Sequence, residues 1–369
     1  MEGQMTKNGR RVISVGANGA GGEIGGLLGR VFGCNKKIFP HLVLTAFNAP
    51  GRDRDQLLSW FRDFDGTLQS ASVPEEWAFA LHDSRSPVEI GWDNRTGLVL
   101  DATGVFKTRK DLEGHGKPVM LCCPPADPSD CDAMVVYGVN HYSLTGHETF
   151  FSAASCTTNA AALVLHALLK IGMQIRFVDL LTVHAVTPGQ LRKSATAAKE
   201  AMENIIPANT GAAKALSKVL PALAGLLNVE CQRVPARTAS SLRFVIDFDY
   251  AVTAGEINRV FADFAQHNPD LMHFEPIPDD PQDKSLWRHS GHCVDQRFCV
   301  YVDGRLTQVI RQGKSVVVTA FYDNRVGYTW QALRVADFWA GKRLELEGRG
   351  LALEEVGQTY PSARSQQRE

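Results

Sequence analysis

No C-x-x-C pair occurs among the eight cysteines of this 369-residue chain. Cys34, Cys131, Cys156, Cys231, Cys293 and Cys299 stand alone, and Cys122 and Cys123 are adjacent, as strand-end packing residues would be. That spacing excludes a zinc ribbon and a disulfide framework, and it points to a reducing compartment, the cytoplasm. "HSGHC" brings His289, His292 and Cys293 together, but no second cluster completes four ligands. The segment therefore reads as a polar loop, and no metal is expected. Long apolar runs are missing too: no stretch approaches a membrane span, and the opening "MEGQMTKNGRR" has no apolar signal-peptide core. Neither export nor a membrane partner is expected. A formal net charge of −1 leaves no electrostatic footprint for nucleic acid.

What is present is the composition of a globular protein, 44% apolar and 21% charged, in a chain long enough for two cores. "RRVISVGANG" is a β-branched strand, "GEIGGLLGRVF" has helical spacing, and "HLVLTAFNA" is a second buried strand, the start of a βαβ unit. "TGLVLDATGVF" and "PVMLCCPP" add short strands to the same sheet. From Cys156 the pattern changes. "TTNAAALVLHALLKIG" is a helix stopped at Gly172, and "RFVDLLTVH" is a strand ending at His184. "RFVIDFDY", "RFCVYVD", "RLTQVI" and "SVVVTAF" then give longer strands with hairpin-like spacing. The expected fold is α/β: a Rossmann-type doubly wound nucleotide-binding domain over 9–155, completed by a C-terminal helix at about 326–345, and an α+β catalytic domain with a mixed or antiparallel sheet over 156–325. Residues 346–369 read as a polar tail.

The chemistry centres on "SAASCTTNAA", residues 152–161, where one thiol sits among residues too small to wall it off. Cys156 opens a predicted helix, whose N-terminal partial charge and free N–H groups favour thiolate over thiol. A histidine able to pair with it would activate it further and carry protons, and His184 is the candidate. On these grounds Cys156 is expected to be the most acidic thiol of the chain.

"SAASCTTN", "TVHAVT", "NIIPANTGAAKA", "RVPA" and "FYDNRVGY", with "ATGVF" and "YGVNH" before them, occur in the order and approximate spacing of one family. From about Val12 to the last helix the chain resembles the phosphorylating glyceraldehyde-3-phosphate dehydrogenases. The resemblance implies Cys156 as the nucleophile that forms a thiohemiacetal, and His184 as its base. Ser155, Thr157, Thr210 and Gly211 match the site of the attacking inorganic phosphate, and Thr187 and Arg233 two members of the site for the substrate's own phosphate. Gly19, Gly21, Gly25, Asn48, Thr103 and Gly104 fall at the cofactor, NAD or NADP, and Asn324 matches the residue that fixes the nicotinamide carboxamide. The partners so implied are a small phosphorylated aldehyde and inorganic phosphate, with the chain assembled as a homotetramer.

Several positions depart from the family's pattern. The glycine turn "NGAGGEIGG" carries Glu23 where the family has an arginine, and Arg325 stands where an acid is usual. After the second strand, NAD-specific members have Asn-Asp; this chain has Asn48 and Ala49, followed in "GRDRD" by Arg52 and Arg54, which either attract a 2′-phosphate or lie in a surface loop. The segment 190–204 is shorter than the family's intersubunit loop, and Gly189 replaces a phosphate-holding side chain, for which Arg192, Lys193 or Arg237 could compensate. Two alternatives follow: a specialised paralogue acting on another phosphorylated or anionic aldehyde, and a catalytically idle regulatory paralogue. Cys156, His184, Asn324 and the full inorganic-phosphate set argue for an active enzyme.

Overall fold

A computed structural model describes residues 4–5, 11–62, 73–74, 77–186, 199, 201–277 and 289–348. Its first sheet is built from β1 (Gln4–Met5), β2 (Arg11–Asn18), β3 (Leu42–Asn48), β4 (Ala80–His82), β5 (Thr96–Asp101), β6 (Val119–Leu121), β7 (Ala133–Met134) and β8 (Phe150–Ser152). Its order is β4-β3-β2-β5-β6-β8-β7, with β1 antiparallel on β2 and every other pair parallel. β2 and β5 are buried almost from end to end, as strands covered on both faces must be. The strand order reverses between β2 and β5, the switch point at which doubly wound sheets bind ligands.

Three helices belong to this layer: α1 (Glu23–Asn35), α2 (Arg54–Arg62) and the short α3 (Arg109–Glu113). α1 lies unusually close to the turn that precedes it, because a Cβ on Gly25 would run into the carbonyl oxygen of Gly19. Gly19 itself has φ +83°, the left-handed region the tight turn requires.

The second sheet holds β9 (Ile175–Ala185), β10 (Ile206–Ala208), β11 (Leu227–Val234), β12 (Ala239–Phe248), β13 (Met272–Glu275), β14 (Val300–Asp303), β15 (Gln308–Ile310) and β16 (Ser315–Asp323). Its order is β10-β11-β9-β12-β16-β14-β13 with β15 on β16, and it is mixed: β9–β11 and β13–β14 are parallel and the rest antiparallel. Helices α4 (Cys156–Lys170), α5 (Ala212–Val219) and α6 (Ala254–His267) pack over one face, burying Leu163, Leu216 and Phe261 with Val178, Leu180 and Phe244. α4 stops as its sequence predicts, with Gly172 at φ +84°.

The last helix, α7 (Val326–Gly348), returns to the first layer. Val335, Ala336 and Trp339 join the core of Ile13, Val15 and Leu44, and Trp339 stacks on Phe151 with ring centroids 5.5 Å apart. Cys156 packs against both cores and so lies on the seam between the two layers. His289 and His292 are occupied locally: Gly291 N–H donates to His289 Nδ1 at 3.1 Å, within a short turn that ends at the buried Cys293. The tail from 349 onward lies outside the described residues.

Candidate active site

Cys156 is the first residue of α4, and Ser155 caps the helix by accepting the Thr158 N–H at 3.0 Å. The backbone entering the helix is held hard. Ala154 has φ +56°, a strained value for a residue with a Cβ, fixed by Ser152 Oγ accepting its N–H at 3.0 Å and by Tyr328 donating to its carbonyl at 3.1 Å. Asn159 donates to the Ala153 and Ser155 carbonyls at 2.8 and 2.9 Å.

β9 delivers His184, whose Nε2 lies 3.5 Å from the Cys156 sulfur. Nδ1 is 2.7 Å from the Ala185 carbonyl, an acceptor that favours the tautomer with the proton on Nδ1 and the Nε2 lone pair toward the thiol. In the sheet register Arg233 on β11 stands opposite His184, and its guanidinium contacts the ring at Nδ1 and donates to the Ala185 carbonyl at 3.1 Å. Burial and then the Arg233 charge hold the imidazole down at about 4. Burial likewise pushes the Cys156 thiol up to about 11, against the Thr157 N–H and Arg233, which pull it down. The resting pair is therefore neutral. At Cys156 the pull of the helix N-terminus toward thiolate is opposed by burial, the larger of the two effects.

Tyr322, a residue the sequence gives no reason to single out, ties the two elements together. Its buried hydroxyl hydrogen-bonds Thr157 Oγ1 at 2.8 Å and Thr182 Oγ1 at 3.0 Å, and its ring stands edge-on to His184. Asn324, two residues on, accepts from Ser240 Oγ at 3.4 Å, and that hydroxyl in turn accepts the Ala185 N–H at 3.1 Å. Thr210 and Gly211 sit together at the start of α5, where Thr210 Oγ1 accepts the Ala212 N–H at 3.2 Å and the space beside Gly211 is open. Thr187, Gly189, Arg192 and Lys193 lie outside the described residues, as does most of 190–204.

At the switch point, Asn18, Asn48 and Asp101 are side by side in register at the carboxyl ends of three strands. Asn48 donates to Asn18 Oδ1 at 2.7 Å and Asn18 to Asp101 Oδ2 at 2.8 Å, while Thr103 donates through its hydroxyl to Asp101 Oδ1 at 2.6 Å. Asn48 also meets Ser84, so its side chain is committed to the scaffold; its carbonyl accepts the Gly19 and Ala20 N–H groups at 3.1 and 3.0 Å. α1 begins without any side-chain cap, which leaves its first N–H groups for a ligand. Together with the left-handed Gly19 and the open space at Gly104, that arrangement fits a dinucleotide pyrophosphate.

A family model for the glyceraldehyde 3-phosphate dehydrogenase C-terminal domain matches residues 155–324. The chain is 32% identical over 272 residues to a glyceraldehyde-3-phosphate dehydrogenase of Lactococcus lactis, covering 69% of this chain and 76% of that protein. It is 31% identical over 304 residues to one from Haloarcula vallismortis, covering 77% and 87%. The chain belongs to the glyceraldehyde-3-phosphate dehydrogenase family. It is a divergent member, an oxidoreductase of that type, and the family uses NAD(P).

Two departures from the glyceraldehyde-3-phosphate dehydrogenase pattern prove to be one. Arg325 Nη1 lies 3.2 Å from Glu23 Oε1, and Arg325 Nε donates to Thr238 Oγ1 at 2.7 Å. The acid and the base have changed places across the seam, so Glu23 in the first turn of α1 is already paired. The two arginines of "GRDRD" separate in the opposite way. Arg54 opens α2 rather than lying in a loop; it donates to the carbonyls of Trp77, at 3.1 Å, and Phe79, and lies over the Phe79 ring. No described helix is long and apolar enough to cross a membrane.

Proposed function

We propose that the protein is a phosphorylating aldehyde dehydrogenase that converts a phosphorylated aldehyde and inorganic phosphate into an acyl phosphate. The observation that carries this reading is the approach of Cys156 Sγ and His184 Nε2 to 3.5 Å at the part-exposed end of α4. His184 takes the thiol proton as sulfur attacks the carbonyl carbon, and the proton passes to the carbonyl oxygen to complete a thiohemiacetal. His184 then withdraws the hydroxyl proton as hydride leaves that carbon, so the aldehyde is oxidised to a thioester on Cys156. Bound nicotinamide supplies the hydride acceptor. A phosphate oxygen attacks the thioester carbonyl, the C–S bond breaks, and His184 returns its proton to sulfur. The depressed basicity of His184 favours the return step, because a weak base gives the proton back readily.

Ser155, Thr157, Thr210 and Gly211 are assigned to the attacking phosphate, and Arg233 supplies positive charge beside the dyad. Asn324, held by Ser240, is assigned to the nicotinamide carboxamide. With phosphate omitted, the protein is expected to release one equivalent of reduced cofactor in a burst and then nearly stop, read by absorbance in stopped flow. Sustained full-rate oxidation without phosphate or arsenate would mean that water, not phosphate, resolves the thioester.

This reading includes a tetramer in a reducing cytoplasm, which eight free thiols suit. On the second sheet Phe177, Leu181, Val183 and Val245 alternate with the residues under the helices and stay at least partly exposed, sharing that face with Asp179, Arg243 and Asp247, a mixed surface on which self-association is proposed. Analytical sedimentation at micromolar concentration is expected to give a tetramer, and a monomer alone would contradict it.

A further inference from the structure

The end of β3 and the glycine turn meet at Arg52. A Cβ built on Gly21 would lie 3.1 Å from Arg52 Nε and 3.8 Å from the Ala49 Cβ, so the turn, Ala49 and the guanidinium are in contact. Arg52 donates its backbone N–H to the Ala49 carbonyl at 3.0 Å and rests its guanidinium over the Trp60 ring, 5.0 Å from the centroid, with no hydrogen bond or ion pair from that guanidinium to a described residue. Beside it opens a cleft of about 680 Å³ lined by Gly51, Arg52, Asp55, Gln56, Ser59 and Trp60. Of its neighbours in sequence, Asp53 is occupied in exchanging hydrogen bonds with Gln56, and Asp83 accepts the Gly51 N–H at 2.9 Å.

In a doubly wound nucleotide domain an acid at the end of the second strand of the βαβ unit, here the position just after β3, binds the adenosine ribose. A carboxylate there accepts from both ribose hydroxyls and repels any phosphate on them. Ala49 does neither, and among the described residues the cation at the spot is Arg52, whose guanidinium rests on Trp60 with its donors unspent. We propose that Arg52 makes this a site for a dinucleotide phosphorylated on the adenosine 2′-hydroxyl, so that NADP is bound in preference to NAD. Asp55, the one acid lining the cleft, limits the preference without cancelling it, because it is not paired with Arg52. The inference rests on the dehydrogenase reading given above and adds to it which cofactor the site selects.

Equilibrium calorimetry with NAD⁺ and NADP⁺ on the purified protein, without aldehyde, tests it. A charge-assisted hydrogen bond of about 1.5–3 kcal/mol predicts roughly tenfold or more in favour of NADP⁺. Arg52→Ala is expected to bring the two affinities together, Arg52→Lys to keep part of the difference, and Ala49→Asp to reverse it, with thermal melting confirming that each variant folds. If neither dinucleotide binds, the dehydrogenase reading falls and this inference falls with it. If NAD⁺ binds as tightly as NADP⁺ or more tightly, or if Arg52→Ala leaves the ratio unmoved, the dehydrogenase reading stands and the role of Arg52 is overturned.

Discussion

Turnover is expected to fall by about 10⁴-fold or more in Cys156→Ala, with cofactor affinity kept, because no other described thiol faces His184. His184→Asn keeps the shape and the Nδ1-side donor but removes the base, at a cost of about 10²–10⁴-fold. The neutral resting pair fixes the pH behaviour. A thiol pushed up to about 11 gives free-protein alkylation by iodoacetamide that climbs steadily from pH 7 to 10. A rate already level at pH 6 would instead reveal a standing thiolate–imidazolium pair. The imidazole, held at about 4, keeps its base function well below the ordinary histidine range, so the acid limb of kcat/KM lies below pH 6. Its sign for stability follows: between about 4 and 6.5 the unfolded chain binds this proton and the folded one does not, so acidification through that window destabilises the fold. His184→Asn removes that loss, and urea titrations at pH 7 and 5 measure it.

The exchanged ion pair predicts a rescue. Arg325 is only 5% exposed at its side chain and Glu23 28%, so a like charge put in place of either partner meets a charge that is partly shielded from water. Glu23→Arg sets two guanidinium groups against each other, and Arg325→Glu sets two acids together beside Asp323, which already accepts the Arg325 N–H at 2.7 Å. Each single change is expected to cost about 3 kcal/mol in urea unfolding. Arg325→Glu should also weaken dinucleotide binding, because it leaves two acids at the N-terminus of α1, whereas Glu23→Arg adds a positive charge there and should not. The double variant restores the family's usual polarity and recovers at least half of the loss, a coupling that a double-mutant cycle isolates. Simple addition of the two single effects would show that the charges do not act as a pair.

These cases also mark how far the sequence could be read. β2, α1 and β3 announce themselves through a β-branched run, helical spacing and a glycine turn, all of them local signals. α6 is as plainly signed, by the Thr253–Glu256 capping box and by Ile257, Phe261 and Phe264 at helical spacing, yet it is missing from the expectations drawn from strand-like runs. Cys156 and His184 were legible as chemistry, but their neutral state was not, because it is set by burial from two cores at once. Arg52 and Arg54 are the same residue two positions apart. Only the start of α2 decides that one turns to Trp77 and Phe79 and the other to the glycine turn. Glu23 and Arg325 lie 302 residues apart and look like two unrelated anomalies until α7 folds back on α1. Tyr322 reads as one more sheet aromatic until the alternation of β16 points its hydroxyl at Thr157 and Thr182.

The return of α7 to the first layer sets an order of events during synthesis. Ile13 and Val15 on β2 share their core with Val335 and Trp339, so the earliest-made long strand has no complete shelter until the last described helix leaves the ribosome, roughly 300 residues later. At about 5–20 residues per second that is a wait of some 15–60 s. Meanwhile the second layer, whose strands and helices lie contiguously between Ile175 and Asp323 apart from α4, can close on its own. The seam that carries Cys156 is thus completed only when α7 packs back onto the first layer, so the nucleophile's surroundings depend on a helix made long after it.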